Sequence, residues 1–201
     1  MVIGITGGIG SGKSTITREL AKRGFAVYDC DREAKRIIAK NANVQQAIIA
    51  LLGKKAFEEG KYNTAYVAQR VFAEPHLLTQ LNAIVHPAVK EDILQRSGLT
   101  AKRSNSEAVQ QAKPVLFIES AILYEAGLDR LCDRVIYIDA PEEIRIARTV
   151  ARDHCNAEQV RARIATQTIL PHKNAIVLMN DGTKSIETLT TELLNRLKTH
   201  I

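Results

Sequence analysis

Five short apolar runs, separated by segments with helical spacing, dominate the hydrophobic pattern of this chain. They occupy residues 2–6, 25–29, 114–119, 134–139 and 175–180. None shows the alternation of a half-exposed strand. Such runs between helices predict an α/β fold, with a five-stranded parallel sheet covered by helices on both faces. Ligands of these sheets bind at the carboxyl ends of the strands. The polar candidates there are Asp29, Asp31, Glu119, Asp139 and Asn180.

A long helical region separates the second run from the third. Helical patterns occupy residues 32–40, 44–52, 64–73, 76–85 and 88–97, and no convincing strand lies between Asp31 and Pro114. Thr64 is a candidate cap of the third pattern, and Pro75 is expected to break the chain before the fourth. This region predicts a substrate-binding subdomain. The polar residues 99–113 predict a surface connection without chemistry.

A second helical region covers residues 142–173 and is basic. Arg145, Arg148 and Arg152 fall on one helix face, and residues 145–173 hold six Lys/Arg against two acids. The pattern fits either a solvated basic face or a lid whose arginines stabilise a transferring phosphoryl group. Asn156 with Gln159 predicts the cap of a second helix here. Residues 185–199 predict a final amphipathic helix that packs on the sheet.

The first apolar run leads into a glycine-rich octet that is followed by a helical pattern. Residues 7–14 read Gly-Gly-Ile-Gly-Ser-Gly-Lys-Ser, the phosphate-loop motif G-x-x-x-x-G-K-[ST] between a strand and a helix. Its N–H groups and the helix N-terminus attract phosphates, and its glycines let the backbone approach them. Lys13 is expected to reach the outer phosphates, and the Ser14 hydroxyl to bind Mg²⁺. The residues expected to hold ATP are Gly10, Ser11, Gly12, Lys13, Ser14 and Thr15.

Composition places few further limits on the class, the location and the partners of this protein. The chain is 45% hydrophobic and 25% charged, as in ordinary soluble proteins. Without a signal peptide or a ~20-residue apolar span, we expect a cytoplasmic protein with no membrane partner. The net charge of +6 does not indicate nucleic acid, because aromatic residues are only 4% and a polyphosphate site would also gather positive charge. Cys30, Cys132 and Cys155 lack C-x-x-C spacing, which predicts reduced, structural thiols.

The phosphate loop predicts a nucleotide site and leaves the reaction open. The chain has no guanine-reading N-K-x-D segment, and its size and single insertion are typical of nucleotide and small-molecule kinases. Asp29 and Asp31 point to the same side if the segment is extended. Asp31 can therefore orient and deprotonate an acceptor hydroxyl, or it can cap the helix that begins near Arg32.

Two further polar positions each have two interpretations. Glu119 either assists metal or acceptor binding or caps a helix that begins at Ser120. Residues 180–182, Asn-Asp-Gly, either border the nucleotide base or form a simple turn.

Motifs along nearly the whole chain resemble those of the dephospho-coenzyme A kinase family. They are the segment 2–15 with the phosphate loop, Asp-Cys-Asp at 29–31, His-Pro-Ala-Val at 86–89, Val-Leu-Phe-Ile-Glu at 115–119, Arg148 with Arg152, and Ala-Arg-Ile-Ala-Thr-Gln at 162–167. The phosphate loop alone occurs in many families. Its ordered combination with Asp-x-Asp and His-Pro-x-Val is much more specific.

The resemblance implies ATP-dependent phosphorylation of the ribose 3′-hydroxyl of dephospho-coenzyme A, which gives coenzyme A and ADP in the last step of coenzyme A synthesis. It implies a P-loop NTPase core (1–31, 99–141 and 174–201), a helical acceptor-binding domain (32–98) and a lid (142–173). Asp31 would be the base, and Lys13 and Arg148 would stabilise the transferring group. The implied acceptor-binding residues are Asp31, Lys35, His86 and Pro87. We expect a monomer or a small homo-oligomer.

Three positions depart from the family pattern. The family often has Gln at Arg145, Arg at Lys35 and Asp at Ala175. A kinase of a nucleoside monophosphate or another alcohol would share the loop and the lid, and would differ in what residues 32–98 hold. A nucleotide-dependent switch without turnover is the alternative of a different class, although it would need neither Asp31 nor an arginine-bearing lid.

Overall fold

The structure, a computed structural model, describes residues 1–98, 115–167 and 171–198. It consists of two compact units. The first contains Met1–Tyr28 and the described residues of Val109–Ile201, and the second contains the described residues of Asp29–Ala108. The segment 99–113, predicted to be a surface connection, lies outside the described residues. No described helix combines the length and the apolar character needed to cross a membrane.

The first unit is built on a five-stranded parallel sheet, as the apolar runs predict. Its strands are β1 (Val2–Thr6), β2 (Ala26–Asp29), β5 (Leu116–Glu119), β6 (Arg134–Asp139) and β7 (Ile176–Met179). They are arranged in the order β2-β5-β1-β6-β7, so that β1 lies at the centre between β5 and β6. The turn after β1 therefore emerges in the middle of the carboxyl edge, where the ligands of such sheets bind.

Helices α1 (Lys13–Lys22) and α8 (Ile186–Lys198) pack side by side against the sheet. Ile16 and Leu20 of α1 and Leu189 and Leu193 of α8 are almost fully buried with the strand residues. Burial of each such side chain contributes about 1.5–3 kcal/mol. The predicted final amphipathic helix is thereby confirmed.

Two helices of the first unit carry the basic region, α6 (Glu142–Asp153) and α7 (Ala157–Ala165), and they pack on each other. The predicted cap of α7 is confirmed. The Asn156 side chain accepts a hydrogen bond from Gln159 N, and the Gln159 side chain accepts one from Asn156 N. Ion pairs from Arg161 to Glu142 and Glu143 join α7 to the first turn of α6.

The second unit is mainly helical, with α2 (Cys30–Lys40), α3 (Ala42–Leu52), α4 (Thr64–Ala73) and α5 (Pro75–Arg96). It also contains a hairpin that the sequence did not predict, formed by β3 (Phe57–Glu58) and β4 (Lys61–Tyr62). Its turn residues, Glu59 and Gly60, both have positive φ, which suits a two-residue hairpin loop. Strands of two residues are too short to give a periodic signal.

Helix α5 is continuous where two helices, 76–85 and 88–97, were predicted. Its apolar residues Leu77, Leu81, Val85, Val89 and Ile93 are buried at a spacing of four, on both sides of Pro87. An internal proline costs a helix about 3 kcal/mol, and this burial offsets the cost. Pro75 begins the helix at a position where its missing N–H costs nothing.

Two predicted helix caps were wrong by one or two residues. Asp29 caps α2, because its side chain accepts a hydrogen bond from Arg32 N, and Asp31 lies inside the first turn. Asn63 caps α4 through Tyr66 N, and Thr64 is the first helical residue. In both cases a residue one or two positions earlier has the short side chain and the non-helical backbone that capping needs.

A network of charges around the buried Glu33 joins α2 to α5. The Glu33 carboxylate, only 7% exposed, accepts hydrogen bonds from Arg36 at 2.5 Å and Arg96 at 2.6 Å. Asp92 contacts both arginines, at 2.8 Å and 3.3 Å. Burial opposes the ionisation of Glu33, but the arginines outweigh it and lower the pKa of the carboxyl.

Candidate active site

The glycine-rich octet forms a tight loop between β1 and α1. Strand β1 ends at Thr6, and α1 begins at Lys13. Gly10 and Gly12 have φ values of 76° and 96°, a backbone conformation that residues other than glycine rarely adopt. The loop therefore wraps ahead of the helix N-terminus, where the positive end of the helix dipole favours an anion.

The loop glycines also allow atoms of other elements of the first unit to approach the loop closely. A Cβ at four of them would overlap a neighbouring element, and the pairs are Gly7 with the Ile138 carbonyl, Gly8 with the Arg145 guanidinium, Gly10 with the Arg145 carbonyl and Gly12 with the Asn180 amide. Close packing inside the first unit thus favours glycine here, above all at Gly7 and Gly10, where the overlapping atoms belong to the backbone.

Lys13 and Ser14 lie where the loop meets α1. The Lys13 ammonium donates to the carbonyl oxygens of Gly7 and Gly8, at 2.9 Å and 3.0 Å, so that it lies against the loop. Ser14 is exposed. The Thr15 hydroxyl accepts a hydrogen bond from Arg18.

Asn180 connects the loop to Arg148 and is almost fully buried. Its amide donates to Ser11 O at 2.8 Å. Arg148 donates to both the backbone oxygen and the side-chain oxygen of Asn180, at 3.0 Å and 3.2 Å. This two-pronged contact holds the guanidinium near Gly12. Asn180 therefore links the loop and Arg148 through hydrogen bonds, a role that the sequence did not predict.

The basic residues of α6 and α7 have different partners. Arg145 donates to Ile9 O of the loop at 2.9 Å, and Arg148 contacts Asn180. Arg152 and Arg163 instead pair with Asp153 and lie on the exposed side. Arg145 and Arg148 thus lie at the loop region, whereas Arg152 and Arg163 lie on a solvated face.

Glu119, at the end of β5, accepts a hydrogen bond from the Thr17 hydroxyl at 2.7 Å. It caps no helix, because residues 121–127 form turns. Thr17 and Ser14 lie one turn apart on α1, on the same face. Their hydroxyls and the Glu119 carboxylate are the hard oxygen donors that Mg²⁺ prefers. The described residues contain no cluster of three or more His, Cys, Asp or Glu suited to a metal.

The other predicted site residues belong to the second unit. Asp31 and Lys35 lie one turn apart on α2, and both are exposed. His86 and Pro87 lie in the middle of α5, which packs against α2. Burial, and to a lesser extent the neighbouring Lys90, lowers the pKa of His86, so that its imidazole is neutral near pH 7.

Comparison with known proteins identifies the family of this chain. The family model for dephospho-CoA kinase matches residues 1–185. A curated relative, the dephospho-CoA kinase of Porphyromonas gingivalis, is 42% identical over 167 residues, which cover 83% of this chain and 77% of the relative.

Two solved structures are similar over nearly their whole length. TT1252 from Thermus thermophilus is 31% identical with a TM-score of 0.75, covering 99% of this chain and 97% of its own. Dephospho-CoA kinase from Campylobacter jejuni, 22% identical, has a TM-score of 0.69 with coverages of 100% and 98%, and it supports the fold alone. The family match and the relative's identity establish that this chain belongs to the dephospho-CoA kinase family.

Proposed function

We propose that the chain carries out the reaction of its family with the residues of the loop, α6 and α2. As a family member it is an ATP-dependent kinase that phosphorylates the ribose 3′-hydroxyl of dephospho-coenzyme A, giving coenzyme A and ADP in the last step of coenzyme A biosynthesis. The observation that carries the assignment of residues is the loop itself, with the Lys13 ammonium against it and Arg148 held beside Gly12.

ATP would bind with its phosphates in the loop. The residues that would hold them are Gly10, Ser11, Gly12, Lys13, Ser14 and Thr15. Lys13 and Arg148 would stabilise the negative charge that spreads over the transferring phosphoryl group. Arg148 suits this role because Asn180 holds its guanidinium by two hydrogen bonds, so that little ordering is needed during the reaction.

Magnesium fits the oxygen donors at the start of α1. Ser14 would hold the ion, and Glu119, positioned by Thr17, would accept hydrogen bonds from its water ligands. When bound, Mg²⁺ would neutralise part of the negative charge of the phosphates.

Asp31 would orient the acceptor hydroxyl and take its proton. Among the described residues its side chain has no hydrogen bond or ion pair, and it is exposed, whereas the Asp29 carboxylate is engaged in capping α2. Lys35, His86 and Pro87 would bind the acceptor, and a neutral His86 could donate or accept one hydrogen bond. Residues 142–173 would act as a lid that excludes water, which would otherwise hydrolyse ATP.

The experiment that tests the reaction is coupled ADP release with Mg-ATP, comparing dephospho-coenzyme A, AMP, CMP, adenosine and no acceptor. We expect strong stimulation by dephospho-coenzyme A alone, with coenzyme A as the product. Stimulation by a nucleoside monophosphate would instead assign a different acceptor, and no stimulation by any acceptor would point to a switch.

The role of Asp31 is tested by a matched pair of substitutions on the same turn. Asp31→Asn should lower kcat by about 10²–10⁴-fold with a modest effect on ATP binding, because it removes a general base. Asp29→Asn should retain most activity, because asparagine caps helices as well as aspartate does. If the two variants were equally active, Asp31 would not be the base.

A further inference from the structure

The Ile9 peptide of the phosphate loop is held on both sides by side chains from the α6–α7 pair. Its N–H donates to Gln167 Oε1 at 2.9 Å, and its carbonyl oxygen accepts from Arg145 Nε at 2.9 Å. The first contact spans 158 positions of the chain and the second spans 136. Two separate side chains thus satisfy both backbone groups of one loop residue.

Gln167 is itself fixed at the end of α7. Its backbone N–H donates to Ile164 O at 3.0 Å, and the preceding Thr166 hydroxyl donates to Arg163 O at 2.9 Å. These bonds close the last turn of the helix, so the backbone that carries the Gln167 side chain has a defined position. Its amide must present oxygen to Ile9, because only the oxygen can accept a hydrogen bond.

Helix α6 approaches the same part of the loop closely. The carbonyl oxygen and the guanidinium of Arg145 occupy the space that side chains at Gly10 and Gly8 would need. Ile9 lies between these two glycines, so α6 and Gln167 contact the loop around one peptide.

We propose that Gln167 is a positioning residue for the phosphate loop, and that it acts together with Arg145 on the Ile9 peptide. A glycine-rich loop has many conformations, and ordering it on nucleotide binding costs conformational entropy. Two hydrogen bonds from the α6–α7 pair order it in advance and make nucleotide affinity depend on where that pair lies. This inference rests on the proposed nucleotide site and is independent of which acceptor is used.

The test is the affinity for ADP and for a non-hydrolysable ATP analogue, measured by calorimetry without acceptor. Gln167→Met keeps the length of the side chain and removes the acceptor oxygen. We expect nucleotide binding to weaken about 5- to 10-fold, the size of one lost hydrogen bond. In turnover, KM for ATP should rise and KM for the acceptor should stay unchanged.

Gln159→Met is the matched control, because Gln159 supports the other end of α7, where its side chain accepts a hydrogen bond from Asn156 N. It should leave nucleotide affinity within about twofold of wild type. If Gln167→Met bound nucleotide normally, or if Gln159→Met weakened binding equally, the proposal would be overturned. Should Gln167→Met not fold, Gln167→Asn, which is one methylene shorter, serves the same comparison.

A double-mutant cycle with Arg145→Met tests the shared action on Ile9. Because both side chains order the same peptide, the second substitution should weaken binding less than it does alone. Strictly additive effects would refute the shared action. If nucleotide binds normally but no acceptor is phosphorylated, the proposed reaction fails and the test of Gln167 still stands.

Discussion

Replacing Glu33 with glutamine should reduce the stability of the chain by about 2 kcal/mol. A hydrogen bond to a charged group contributes about 1.5–3 kcal/mol, and Glu33 accepts two of them, from Arg36 and Arg96. Breaking a fully buried ion pair costs about 3–5 kcal/mol. The cost should be smaller here, because the arginines are 37% and 41% exposed and keep Asp92 as a partner.

The assay is urea unfolding of wild type and Glu33→Gln as a function of pH. The pKa of Glu33 is lowered from its ordinary value of 4.5, so the ionised carboxylate contributes its stability above about pH 4.5. That contribution is lost as the pH falls through the lower pKa of the folded state. The difference between the two proteins should therefore be full near pH 7 and should shrink in acid.

Glu91→Gln, at an exposed position of α5, is the control, and it should change stability by less than about 0.5 kcal/mol. The reasoning would be refuted if Glu33→Gln were as stable as wild type near pH 7. A difference that stayed constant into acid would refute the electrostatic part of the argument.

Three further predictions concern other parts of the fold. Gly10→Ala should abolish nucleotide binding in a calorimetric titration, because the residue has positive φ and its Cβ would overlap the Arg145 carbonyl; normal binding would contradict the loop geometry. Burial, with Asp129 and Asp133 nearby, raises the pKa of the Cys132 thiol to about 12. This thiol should therefore resist alkylation near pH 8 in the native protein and react after unfolding, which peptide mass mapping would measure. Pro87→Ala should raise the urea midpoint, because it restores a helical hydrogen bond and so removes part of the ~3 kcal/mol cost of an internal proline. An unchanged or lower midpoint would argue against such a cost at this position. If Pro87 binds the acceptor as proposed, the same variant should also have a higher KM for the acceptor.

Much of the fold could be predicted from local sequence, because its strands and most helices carry strong periodic signals. Strands β1 and β6 have the predicted bounds, and the capping box of α7 was found from two residues. The errors occurred where tertiary burial overrides a local rule. Pro87 lies inside a helix because the apolar stripe continues past it, and the β3–β4 hairpin is too short to show a pattern.

For the site, the sequence by itself determined the phosphate loop and the order of the family's motifs, because the loop's chemistry is contained in eight consecutive residues. Only the tertiary structure decided which distant residues complete the loop. Asn180 and Gln167 are ordinary polar residues in sequence, and they lie 169 and 158 positions from the backbone groups that they contact. The same holds for the arginines, since a helical pattern places Arg145, Arg148 and Arg152 on one face, and only packing shows which of them contact the loop region. Such contacts depend on how separate elements pack, and no local pattern records them.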